Sequence, residues 1–280
     1  MSGKLIRHSY YVLGILLCLA SLIAGCSIVT EEIYNDGIIE IGGDGNPIQL
    51  INNPDAHNPT YAELLDFIIK DRTDANTYVA QSYVCSDFAE DVHNNAEAAG
   101  IRAAWVSIKF AGTSEGHALN AFETTDKGLI YIDCTGDSLE EKMNPASLAL
   151  VESKIQEATA LGLNNGFNYD TLAYLETGKE YGLIDITKAK SQTYAYYEQY
   201  KATWHERNKL LNEYNQEVMA YNEEVRGKSF RKDSTELVKI EAWEASLDDK
   251  RTALEESGKD LGHSWFEPPG IVNDIKIHWD

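Results

Sequence analysis

Three side chains in this 280-residue chain have the types, order and surroundings that nucleophilic acyl transfer needs. They are Cys85 in "YVCSDFA", His117 in "GHALNAF" and Asp133 in "LIYIDCTG". Cys85 opens an amphipathic helical pattern, and a thiol at a helix N-terminus feels the partial positive charge of the unpaired amides, which stabilises thiolate. The same amides, that of Cys85 included, are donors for an oxyanion developing on an attacked carbonyl. A neutral imidazole takes the thiol proton, and a carboxylate on its other nitrogen fixes the tautomer. No side-chain oxyanion donor stands out. Gln81 is near in sequence only, so that role falls to the backbone.

The elements around these residues read as α+β. Thr60 and Glu63 form a capping box ahead of an apolar face made by Leu64, Leu65, Phe67 and Ile68. A second helix runs from near Cys85, with Phe88, Val92 and Ala96 on one side, to a stop at Gly100. Three strand patterns follow, "IRAAWVSIKF" (101 to 110), "HALNAFET" (117 to 124) and "LIYIDC" (129 to 134), which make an antiparallel meander. For His117 and Asp133 to share a face and lie nearly opposite, the loop between their strands must be of odd length. A three-residue loop over Thr124, Thr125 and Asp126 sets them directly across, so the triad predicts a turn near residues 124 to 126, or a bulge that corrects the register.

The three quoted blocks resemble the transglutaminase-like, papain-like cysteine superfamily over about residues 57 to 136. The resemblance implies a helix-borne cysteine packed on an antiparallel sheet, with Cys85 as nucleophile, His117 as base and Asp133 as the orienting acid. Two positions depart from the common pattern: Ser86 stands where many members have an aromatic residue, and Cys134 where many have proline. The mechanism needs no cofactor or metal; the acidity keeps calcium open, although no loop has the ligand pattern of an EF-hand site.

Other readings of the same residues stay open. Cys85 and Cys134 would pair readily in an oxidising compartment. If Asp133 faces His117, alternation sends Cys134 to the other face, away from the helix that carries Cys85. His93 lies about 80° round that helix from Cys85 and is expected to be exposed. A zinc site from Cys85, His93, His117 and Cys134 lacks the short paired spacings of such sites. Asp87 and Glu115 read as surface acids.

The N-terminus adds a location. Lys4 and Arg7 precede an apolar run from Tyr10 that ends in "LIAGC", a pattern that resembles the signal peptide and lipobox of prokaryotic lipoproteins, in which the cysteine, here Cys26, is lipidated. An uncleaved membrane anchor is the rival, and either reading puts the remainder on a membrane outside the cytoplasm. All 45 acidic residues but only 22 of the 24 basic ones lie after residue 25, leaving −23. Such a charge repels phosphate backbones and excludes nucleic acid as a partner.

The chain divides into a signal (1–25), a Gly, Asn and Asp-rich tether (26–56), the transglutaminase-like domain with an extension (57–187), a helical pair (188–260) and a strand-like tail (261–280). In the fourth segment Tyr197, Tyr200, Trp204, Leu211, Tyr214, Val218, Tyr221 and Val225 alternate at spacings of three and four, broken only by Arg207. With Ile240, Trp243, Leu247 and Leu254 they predict an antiparallel helical hairpin, a possible seat for a protein partner. The expected activity is acyl transfer on peptide or amide bonds, as a peptidase or amidase if water is the acceptor and as a transglutaminase if an amine is. A non-catalytic surface module keeping the same fold is the alternative.

Overall fold

The computed structural model describes residues 29–35, 37–135, 170–261 and 265–279. The signal pattern, Cys26 and much of the extension after residue 135 lie outside them.

The described residues form a mixed α+β fold built on one six-stranded antiparallel sheet. Four short strands come first: β1 (Val29–Glu32), β2 (Tyr34–Asn35), β3 (Ile38–Ile39) and β4 (Gln49–Asn52). Helix α1 (Tyr61–Lys70), a 3-10 turn (Thr73–Ala75) and helix α2 (Cys85–Ala98) precede β5 (Ala104–Phe110), β6 (Gly116–Thr124) and β7 (Gly128–Asp133). After these come β8 (Thr171–Tyr174), β9 (Gly182–Asp185), α3 (Tyr194–Val225), α4 (Thr235–Gly258) and β10 (Val272–His278). The large sheet has the order β10-β5-β6-β7-β8-β9. Its central members are consecutive, while the last strand of the chain covers the outer edge of β5.

Local chemistry sets the helix ends. Thr60 Oγ1 accepts from the Glu63 amide at 3.2 Å, and the Glu63 carboxylate accepts from the Thr60 amide at 3.4 Å, which starts α1 as its capping box requires. Gly100 ends α2 with φ +80°, a left-handed position open to glycine at little cost.

Helix α2 is enclosed on two flanks. Toward the sheet it buries Phe88, Ala89, Val92 and Ala96. On the other flank β4 lies along it, with the amides of Gln49, Ile51 and Asn53 donating to the side chains of Glu90, Asn94 and Glu97 at 2.8 to 3.0 Å. Ile33, Ile48 and Leu50 are buried in this layer, worth about 2 kcal/mol each in apolar burial. Residues 29–53, whose composition reads as a tether, are therefore packed on the helix that carries Cys85. The enclosure also overturns the expectation for His93, which is fully buried. The 3-10 turn also meets α2, where Asn95 donates to Asp71 and Thr73.

The seam residues of α3 are buried or half-buried from Tyr197 to Val225, as are Ile240, Trp243, Leu247 and Leu254 of α4. Trp243 donates to Glu217 at 3.0 Å and stands edge-on to Tyr221. Arg207, the polar break, lies against Gly258, where a Cβ would stand 2.9 Å from its Nε. Among the described residues no helix is long and apolar enough to cross a membrane.

Candidate active site

Asn120 and Trp105 fix α2 over the sheet. Asn120, fully buried on β6, donates to the Ala89 carbonyl at 2.8 Å, and the Trp105 indole of β5 donates to the Ser86 carbonyl at 3.3 Å. Ser86 in turn donates to the Ile41 carbonyl. These bonds hold the first turn of α2, and Cys85 with it, at the start of β6.

His117 and Asp133 come together on the opposite face of the sheet. Alternation along β6 turns Ala118, Asn120 and Phe122 toward α2, and His117, Leu119 and Ala121 toward a second apolar layer. The β6–β7 loop has three residues, but they are Thr125, Asp126 and Lys127, with Thr124 paired to Gly128. The turn lies one residue later than a direct facing of His117 and Asp133 requires. Gly128 takes φ +71° there, and Asp126 and Thr125 are tied to the start of α1 through the Tyr61 amide and the Pro59 carbonyl. Odd length keeps the two residues on one face, now diagonal rather than opposite. The imidazole spans the offset: His117 Nε2 donates to Asp133 Oδ2 at 2.7 Å.

The thiol reaches the histidine through an opening between strands. Pairing of β6 with β7 runs from Thr124/Gly128 only to Asn120/Ile132. Just beyond it the Ala118 amide and the His117 ring both hydrogen-bond the sulfur of Cys85. Since Nε2 is taken by Asp133, Nδ1 is the nitrogen left for the thiol.

Burial works against charge on Cys85, yet the positive His117 ring, its hydrogen bond and the Ala118 amide outweigh it and hold the thiol below its ordinary value. Burial would likewise lower His117, but the Asp133 carboxylate and the Cys85 sulfur raise it to about 10. The carboxyl of Asp133, also pushed upward by burial, is held far below its ordinary value by His117, Tyr181 and the Thr135 amide. Both shifts favour the charged pair, thiolate and imidazolium, over the neutral one.

Tyr181 is the partner that sequence reasoning missed. Its hydroxyl donates to Asp133 Oδ2 at 2.6 Å, the oxygen that also receives His117, and its ring stands edge-on to the imidazole with centroids 5.5 Å apart. The Thr135 amide donates to Oδ1 at 3.0 Å. Side-chain exposure is 17% for His117 and 3% for Asp133, so the ring edge alone meets solvent.

The site opens on a cleft of about 500 Å³ lined by Cys85, His117, Trp105 and Ser107, with Asn35, Glu40 and Ile41 from the N-terminal strands and Glu115 from the β5–β6 loop. Asn35 organises that wall, donating to Glu40 and Ser107 while its carbonyl oxygen pairs with His278 Nε2 at 3.2 Å. At the N-terminus of α2, Val84 has no side-chain cap to offer the first amides. Asp87 turns back instead, its Oδ2 accepting from the Val84 and Gly43 amides at 2.8 Å each, so it is a clamp on the first turn rather than a plain surface acid. Gln81 is exposed and does not line the cleft.

Cys85 and Cys134 are both free thiols. Contrary to expectation, Cys134 faces the helix layer, packed with Val92 and Ala96 of α2, while His117 and Asp133 face away. Its thiol is pushed well above its ordinary value by burial and the nearby Asp170.

The titrations set a stability window. His117, raised, contributes stability that is whole below pH 6.5 and is lost as pH climbs through about 10. Asp133, lowered, contributes stability that is whole above pH 3.8 and is lost as pH falls through its depressed value. His117→Ala should therefore cost most, about 3 kcal/mol, between roughly pH 4 and 6.5, and less at pH 9. Urea denaturation of both proteins across pH measures it, and a pH-independent cost would contradict the ion pair.

No protein-family model, curated protein or solved structure matches this chain.

Proposed function

We propose that this protein is an extracytoplasmic, lipid-anchored cysteine acyl-transfer enzyme, with a transglutaminase-like catalytic domain and a C-terminal helical hairpin. The observation that carries the reading is the hydrogen-bonded line from the Cys85 sulfur through His117 to Asp133, opening on a cleft. The thiolate attacks an amide carbonyl carbon, forming a C–S bond and an oxyanion that the first amides of α2 receive. As the intermediate collapses, the C–N bond breaks and the His117 imidazolium gives its proton to the leaving amine. In the second half the neutral ring takes a proton from water or an amine attacking the thioester, and the thiolate departs. Water gives a peptidase or amidase, an amine a transglutaminase.

Anchoring rests on "LIAGC" and Cys26. The hairpin is supported by pairs whose numbers rise on α3 as they fall on α4: Arg207 with Gly258, Glu217 with Lys250, and Tyr221 with Trp243.

The test is labelling of the intact protein with iodoacetamide across pH, the modified residue identified by peptide mapping. At pH 6, where a free cysteine is almost wholly thiol, Cys85 should react about 10- to 100-fold faster than a free cysteine. His117→Ala should remove the advantage. A thiol of ordinary reactivity, indifferent to loss of the histidine, would refute the mechanism.

A further inference from the structure

The N-terminal strands carry a concentration of apolar side chains that catalysis does not use. Val29, Tyr34, Ile38, Ile41 and Ile51 are 41 to 72% exposed. In β4, Ile51 lies between buried Leu50 and Asn52, and Tyr34 lies between buried Ile33 and Asn35. Alternation therefore turns Ile51 and Tyr34 away from α2 and outward. Exposed apolar residues scattered singly need no explanation, but a concentration in one lobe marks an interaction surface.

What covers this lobe follows from its distance to the anchor. The described residues begin with β1 at Val29, three residues after Cys26. Three residues span at most about 10 Å when fully extended, so a lipid on Cys26 leaves the lobe almost no clearance from the bilayer.

We propose that the lobe formed by β1 to β4 rests on the lipid surface, its outward apolar side chains in the interface. The inference rests on the anchor reading given above. Glu31, Glu32, Glu40 and Asp44 belong to the same lobe and repel anionic headgroups, so electrically neutral lipid is the matching surface. Asn35, Glu40 and Ile41 also line the cleft, so the site opens beside the membrane and serves acyl donors displayed there.

The experiment uses the full chain produced in a host that lipidates such signals, reconstituted in phosphatidylcholine vesicles with brominated acyl chains. Tryptophan is introduced at Ile38 (Ile38→Trp) or, as a distant control, at Met219 of α3 (Met219→Trp). Both positions are exposed, and circular dichroism checks the fold. Read as the difference from the unsubstituted protein, the fluorescence added at position 38 should fall by about half in brominated vesicles, and that at position 219 should not change. Equal quenching at both positions, or none at either, in protein that floats with the vesicles overturns the docking and leaves the anchor standing. Protein that stays in the soluble fraction overturns both.

Discussion

Asp133→Asn should lower turnover by about 10³- to 10⁴-fold while the chain still folds. Every contact to the carboxylate is a donor: His117 and Tyr181 converge on Oδ2, and the Thr135 amide points at Oδ1. An amide in that place must aim an N–H at one of these donors whichever way it turns. With its nitrogen at the Oδ2 position, the His117 N–H loses its acceptor and the imidazolium loses the charge that holds it. Burial, already the largest influence on Cys85, is then opposed by little, and the thiol rises. Release of nitrophenol from a p-nitrophenyl ester measures the loss. Iodoacetamide labelling at pH 6 should fall in parallel to the level of a free cysteine, and an Asn variant within tenfold of the wild type would remove Asp133 from the mechanism.

Tyr181→Phe should cost about 2 kcal/mol of stability, the worth of one hydrogen bond to a buried charged group, and about tenfold in activity. The ring keeps its packing, so what is removed is the O–H···O contact to Asp133. That contact stabilises the ionised carboxylate, so losing it raises Asp133 and moves the acid limb of the pH–rate profile upward. A positioning role requires that movement. Reduced stability with an unmoved acid limb would leave Tyr181 only a packing role.

The grouping of Cys85, His117 and Asp133 was legible in the sequence because each member sits where a local pattern begins or ends. Cys85 precedes an amphipathic period, and His117 and Asp133 lie on alternating strands whose shared face follows from an odd loop. The exact register was not, because the turn is placed by Gly128 and by contacts of Thr125 and Asp126 to a helix some 65 residues earlier. Tyr181 left no signal: it is one tyrosine among 16, just before a short strand, and only the folded sheet brings it to Asp133. The N-terminal lobe was hidden for a related reason. Its buried residues Ile33, Ile48 and Leu50 are isolated among Gly, Asn and Asp, and much of its attachment runs from backbone amides to Glu90, Asn94 and Glu97, which no periodicity records.

The bond between Asn35 and His278 joins positions 243 residues apart, and it bears on when the site comes into being. At a synthesis rate of about 5 to 20 residues per second, roughly 10 to 50 seconds separate the appearance of the two partners. Until β10 arrives, the outer edge of β5 has no partner, and such an edge invites pairing with other chains. The wall beside Cys85 is thus closed by the last strand, so Cys85 and a finished cleft coincide only once the chain has emerged. A nascent or truncated chain that stops short of Val272 would hold the Cys85 helix without the completed wall beside it.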